Sequence, residues 1–166
     1  MDAESEQIKE IYARYGLAMY FAQCLERGIA ITLATVYGPG PSRITKHELD
    51  ALLESHFEAT LGKLLTRLRQ HVAVSDTLDA KLRTALDRRN WLAHHYFWER
   101  SGHFMTENGR SKMLAELDEA KELFSAIDSE FETITTSWCE AHGITQEMVD
   151  RWLKEITKES EDDTKA

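Results

Sequence analysis

At 166 residues the chain is sized for one domain, and 42% hydrophobic with 30% charged residues is the balance of a folded soluble protein rather than a disordered one. A formal charge of -9, from 20 Lys and Arg against 29 Asp and Glu, excludes a protein that coats nucleic acid electrostatically, though not an enzyme that engages a few phosphates in one basic pocket. The start, Met-Asp-Ala-Glu-Ser-Glu-Gln, has no apolar signal region, and no apolar run nears the roughly 20 residues of a membrane span, so a cytoplasmic chain is expected. Cys24 and Cys139 lack CxxC or zinc-ligand spacing and are expected to be small buried hydrophobes.

In chain order, Ile8, Ile11, Tyr12, Tyr15, Met19, Ala22, Leu25, Ile29 and Leu33 recur at steps of three and four, which predicts a helix from about Ser5 to Val36. Gly16 and Gly28 within it mark close approach or a slight bend. Gly38-Pro39-Gly40-Pro41-Ser42 stops this helix, since proline cannot continue the ladder. It lacks the GKS/T ending of a phosphate loop. Thr45-Lys46-His47-Glu48 is a capping box that opens a second helix through Leu49, Leu52, Leu53, Phe57, Leu61, Leu64, Leu65 and Leu68. His47, His56 and His71 along it read as surface histidines. Ser75 or Asp76 caps a third helix carrying Leu78, Leu82, Ala85, Leu86, Leu92 and Ala93.

Residues 101–109 form a connection with Phe104 and Met105 tucked inward, and a fourth helix runs to about Trp138 or Cys139. Gly143 ends it, and Thr145 caps a short fifth helix with Met148, Val149, Trp152, Leu153 and Ile156. No strand period or internal repeat is seen. The expected fold is all-α: an up-and-down antiparallel bundle of four long helices and a short fifth, in one domain over 1–156, with an acidic flexible tail over 157–166.

The chemistry concentrates in Arg88-Arg89-Asn90-Trp91-Leu92-Ala93-His94-His95-Tyr96-Phe97-Trp98-Glu99-Arg100. On the third helix Arg89 falls on the apolar face with Tyr96, where a guanidinium needs a partner. Asp87, Asn90, Trp91, His94 and Trp98 fall on the far side. Two outward tryptophans form an apolar patch of the kind that marks contact surfaces, so Trp91 and Trp98 are expected at the interface of a homodimer. The competing arrangement covers them within one chain, by the fifth helix or the Phe104 loop. Cleavage of RNA through its own 2′-hydroxyl needs a base, an acid and positive charge on the phosphorane, which histidine and arginine supply. Arg89 and His94 lie about 140° apart around the helix axis. Two copies across a two-fold axis would bring pairs of each into one cleft.

Arg89-Asn90-Trp91-Leu92-Ala93-His94 resembles the Arg-x(4–6)-His motif of the HEPN superfamily. Extended to Tyr96 it resembles the Arg-x4-His-x-Tyr signature of HEPN toxins encoded beside a nucleotidyltransferase antitoxin. The resemblance implies a metal-independent endoribonuclease, the toxin of a toxin–antitoxin or phage-defence module, with a site shared by two protomers and a cyclic phosphate product. Arg89 would stabilise phosphate charge, His94 would transfer protons and Asn90 would orient them. Tyr96 would be the adenylylation site, although its place in the core stripe equally fits a structural tyrosine. Arg88 with His94, or Arg89 with His95, also fits the spacing, and Arg88, His95 and Glu99 share a face that reads as a surface ion cluster. Lys63, Arg67, Arg69, Lys81, Arg83 and Arg88 are the candidates for a local basic funnel.

Two other functions compete. A non-catalytic helical dimer would bind a nucleotide, RNA or protein through the same fold. A metal enzyme would need Glu-x-x-His, His-x-x-x-His or His-Glu-x-x-His, and none occurs among the seven histidines. No cofactor or metal is expected.

Overall fold

Two long helices, one from each half of the sequence, carry most of the core. The computed structural model describes residues 3–37, 51–52, 54–56, 59–71, 75–148, 150–151 and 154. In chain order these form α1 (Ala3–Thr35), α2 (Leu61–His71), α3 (Asp76–His94), α4 (Tyr96–Glu99), α5 (Ser101–Phe104) and α6 (Glu107–Ala141). Among the described residues there is no strand, and no helix is long and apolar enough to cross a membrane.

On α1 the buried positions Ile11, Ala18, Ala22, Leu25, Ile29 and Leu33 repeat at helical spacing, and on α6 Met113, Leu117, Ala120, Phe124, Ile127 and Phe131 do the same. These stripes face each other in the most extensive contact among the described helices. Each fully buried Leu, Ile or Phe contributes roughly 1.5–3 kcal/mol of transfer free energy. Leu61, Leu64, Leu65 and Leu68 of α2 and Leu82, Ala85 and Leu92 of α3 close the rest of the core. The result is a helical bundle.

The close approach expected at Gly28 is real: a Cβ there would meet the Asp128 carboxylate. Burial, then the nearby Glu132, raises the Asp128 pKa above its ordinary 3.8. The folded protein therefore holds that proton more tightly than the unfolded chain, and this stabilisation fades as pH climbs from the ordinary value through the folded one. Asp128→Asn should raise the melting temperature by a few degrees at about pH 7 and leave it unchanged at about pH 3, as read by thermal melts at both.

The second helix departs from expectation. Its capping box, Thr45 to Glu48, lies outside the described residues. Within them the chain is helical at 51–52 and 54–56, leaves the helix at Ala59 and Thr60, and restarts at Leu61. The Ala59 amide donates to the His56 carbonyl at 3.0 Å, and the Thr60 carbonyl accepts from Leu64 N at 3.0 Å. Thr60 is thus the N-cap of α2, a role threonine favours. Leucine spacing runs unbroken across this point, which hides the break.

Smaller corrections follow from packing. Met105 is exposed rather than tucked in; only Phe104 packs on the core, its ring 6.1 Å from Tyr12. Cys24 and Cys139 are free thiols and half-buried rather than buried. His56 is buried, not on the surface. Gly143, with φ 75°, turns the chain after α6, and the Met148 amide donates to the Thr145 carbonyl and hydroxyl at 3.0 and 3.4 Å. Trp152, Leu153, Ile156 and the tail over 157–166 lie outside the described residues.

Candidate functional site

Ser75 starts α3 as expected, its hydroxyl accepting from Leu78 N at 3.2 Å. Seven residues later Leu82 enters the core, and Ala85 and Leu92 follow on the same face. Arg89 lies at the edge of that face and has the partner its position demands: Nε donates to Glu26 Oε1 of α1 at 3.0 Å, with both side chains largely shielded. Its Nη1 donates to Asn90 Oδ1 at 3.3 Å, so Asn90 is tied to the same guanidinium.

The helix ends at His95, where φ -128° and ψ -22° leave the helical region. Neither proline nor glycine causes this break. The rings beyond it interlock with α1: Tyr15 sits 6.0 Å from Tyr96 and 4.9 Å from Phe97, and Tyr12 sits 5.7 Å from Phe97. The Tyr15 hydroxyl also donates to the Leu92 carbonyl at 3.2 Å, satisfying one of the terminal acceptors of α3.

The expected site residues therefore divide. Arg89 and Asn90 are joined. His94 and His95 both stand exposed at the end of α3, their rings 6.2 Å apart and inclined at 69°. Trp91 is half-buried in its own chain: Arg88 and Arg100 lie 5.3 and 4.9 Å from its ring, Tyr96 meets it edge-on at 5.0 Å, and its Nε1 donates to Glu99 Oε2 at 2.8 Å. Arg100 is held there by a forked pair with Glu116, Nε to Oε2 at 2.8 Å and Nη2 to Oε1 at 2.9 Å. Trp98, in contrast, is 84% exposed. Among the described residues, two arginines and Tyr96 pack on Trp91; most of the fifth helix that would cover it in the competing arrangement lies outside the described residues.

Tyr96 is a core residue. Its hydroxyl donates to the Met113 carbonyl at 3.0 Å, and burial, reinforced by Glu116 and opposed by Arg100 and Arg88, drives its pKa well up. Adenylylation would require this ring to leave its seat.

The structure adds residues that the motif does not contain. Glu26 was signalled only indirectly, by the need of Arg89 for an anion. His56 has no sequence signal of its own. Both line a cavity of about 240 Å³ together with Arg27 and Arg89. Behind it, Arg67 Nη1 donates to His56 Nδ1 at 2.7 Å. Half of the expected basic funnel is in ion pairs: Arg69 and Arg83 both bond Asp79, at 2.6 and 2.7 Å, and lower its pKa, while Lys81 pairs with Glu130. Among the described residues, no three His, Cys, Asp or Glu side chains gather as a metal-binding group. Compared with protein-family models, curated protein sequences and solved structures, the chain matches none of them.

Proposed function

We propose that the protein is a HEPN-like, metal-independent endoribonuclease acting as a homodimer, with Arg89 and His94 as its chemical pair. The observation that carries this reading is the division of α3. Its Arg89–Asn90 unit is fixed by Glu26, and five residues later His94 stands in solvent, as does Trp98 just past the break at His95. A proton-transfer group must reach solvent and substrate, and an exposed tryptophan four positions on in sequence offers a second copy an apolar anchor. On this reading the helices form an up-and-down antiparallel bundle that pairs through the Trp98 side of α3 and α4, so that each cleft draws an arginine and a histidine from different protomers. His94 takes the 2′-hydroxyl proton or returns one to the leaving 5′-oxygen. The arginine stabilises the phosphorane, and the products are a cyclic phosphate and a 5′-hydroxyl. Toxin action under a nucleotidyltransferase antitoxin, in the cytoplasm, belongs to the same proposal.

A non-catalytic binding dimer is the second reading. It is favoured by the ion pairs that occupy Arg69, Lys81 and Arg83, which neutralise half of the positive funnel an RNA substrate would follow. Mixed RNA incubated in EDTA with the wild type, Arg89→Ala and His94→Ala separates the two. Cleavage by the wild type and its loss in both variants is expected; no wild-type cleavage, or equal cleavage by all three, removes the ribonuclease.

A further inference from the structure

A groove of about 420 Å³ runs beside α3, with Thr84, Asp87, Arg88 and Trp91 in its wall and Arg100 reaching it from beyond the break at His95. Positions 84, 87, 88 and 91 follow one helix face, so Asp87 and Arg88 both neighbour Thr84 a turn before and Trp91 a turn after. Asp87 and Arg88 themselves point about 100° apart. Among the described residues, neither side chain makes a hydrogen bond or an ion pair. That sets Arg88 apart, since Arg14, Arg69, Arg83, Arg89, Arg100 and Arg110 each hold a carboxylate. Arg88 is half-buried and steadied instead by the Trp91 ring, 5.3 Å from its guanidinium carbon. A cation–π contact offsets charge without consuming an N–H, so the Arg88 fork keeps its donors. Arg100 is braced on the same ring at 4.9 Å and spends Nε and Nη2 on Glu116, which leaves Nη1.

An unspent fork and an unspent carboxylate beside an indole match a flat ligand with two acceptors on one edge and donors on another. Guanine has that pattern: O6 and N7 accept a bidentate fork, while N1–H and the N2 amine donate to a carboxylate. Adenine would turn its N6 amine towards the fork, and a pyrimidine has no N7. Flat bases stack on guanidinium planes as well as on aromatic rings. At the ~30 Å³ that a liquid water occupies, the groove holds roughly fourteen waters, space for a purine and its sugar.

We infer that this groove binds a guanine base, with Arg88 on its O6 and N7 edge and Asp87 on its N1 and N2 edge. Arg100 Nη1 is left for the sugar or phosphate that the base carries. The base comes from a free guanine nucleotide or from a guanosine in single-stranded RNA. Neither Arg89 nor His94 lines the groove, so the inference does not rest on the cleavage reading. On that reading the groove selects where along a strand the chemistry acts.

The test is calorimetric titration of the intact protein at constant ionic strength. The ligands are guanosine, adenosine and inosine monophosphates, and uncleavable 2′-O-methyl RNA oligomers carrying one guanine or one adenine. Guanine ligands should bind at least about tenfold more tightly than their adenine counterparts, and inosine monophosphate, which lacks the N2 amine, should lose part of that margin. A guanine oligomer that binds more tightly than the monophosphate identifies RNA as the source; one that does not identifies the free nucleotide. Asp87→Ala should erase the preference for guanine over adenine, and Arg88→Ala should weaken guanine binding about tenfold. Asp87 is exposed, so its variant reports even where the half-buried Arg88 does not tolerate truncation. No binding of either guanine ligand, equal affinity for guanine and adenine, or a guanine preference that survives in Asp87→Ala would each overturn the groove. A wild type that cleaves no RNA yet selects guanine loses the ribonuclease and keeps the groove; one that cleaves without selecting guanine does the reverse.

Discussion

Arg89→Ala and His94→Ala should each lower RNA cleavage by about 10²-fold or more, and only the first should also weaken the fold. The asymmetry comes from their surroundings. His94 is exposed at the end of α3, so its truncation belongs to the surface class whose effect on stability is within about 0.5 kcal/mol. Arg89 is shielded against Glu26, and removing it strands a carboxylate whose side chain is only 20% exposed, at a cost of about 1–2 kcal/mol. Arg89→Lys separates the two consequences. It keeps a positive charge for Glu26 and so recovers most of the stability, but it loses the planar fork that grips two phosphate oxygens. Cleavage in Arg89→Lys should therefore stay low while its melting temperature returns towards wild type. Recovery of cleavage along with stability would mean that Arg89 acts on the fold alone.

Among the described glycines, Gly109→Ala should be the costliest substitution. Gly109 is buried in the first turn of α6, and a Cβ there would run into the backbone of His103, its carbonyl oxygen and its Cα. Backbone cannot step aside as a side-chain tip can, so α5 would have to move off α6. That corner is also held by Thr106, whose hydroxyl accepts from Gly109 N at 3.1 Å, and by the buried Arg110. The Arg110 guanidinium donates to the Phe104 carbonyl at 3.0 Å and to Gln7 of α1 at 2.9 Å. Forced overpacking costs roughly 1–3 kcal/mol, and the upper part of that range exceeds the ~1 kcal/mol that alanine gains over glycine in a helix. A fall in melting temperature of about 5 °C is expected, at roughly 2–4 °C per kcal/mol for a chain of this size. Gly28→Ala is the internal control. Its new methyl meets only the Asp128 carboxylate, the movable end of a side chain, so the helix gain should largely offset the crowding. Equal losses at both glycines would refute this account of the α5–α6 corner.

Much of the architecture could be read from periodicity, because α1 and α6 each bury one face and their apolar residues recur accordingly. Periodicity also put Arg89 among apolar residues and so required an anion, which the fold supplies as Glu26. It could not say which acid, since the two are 63 positions apart in sequence. Reading failed at two points where a helix broke without proline or glycine. Past His95 the helical wheel no longer applies, so nothing in the sequence places Arg100 over Trp91, and the two tryptophans seemed equivalent when only Trp98 is left bare. The break at Ala59 and Thr60 had the same effect on His56, which looked like one more surface histidine on a long helix and is instead buried against Arg67.

The pairing of α1 with α6 also sets an order of assembly. Synthesis proceeds from the N-terminus at about 5–20 residues per second, so α1 emerges several seconds before Phe131 is made. Throughout that interval Ile11, Leu25 and Ile29 lack the surface that finally covers them, and closing so long a loop carries an entropic cost that local contacts do not. A nascent chain that stops before Thr106 would already hold Arg89 and His94 and yet lack the α6 half of the core. The cover that fixes α1, and with it Glu26 against Arg89, is complete only once α6 has been made.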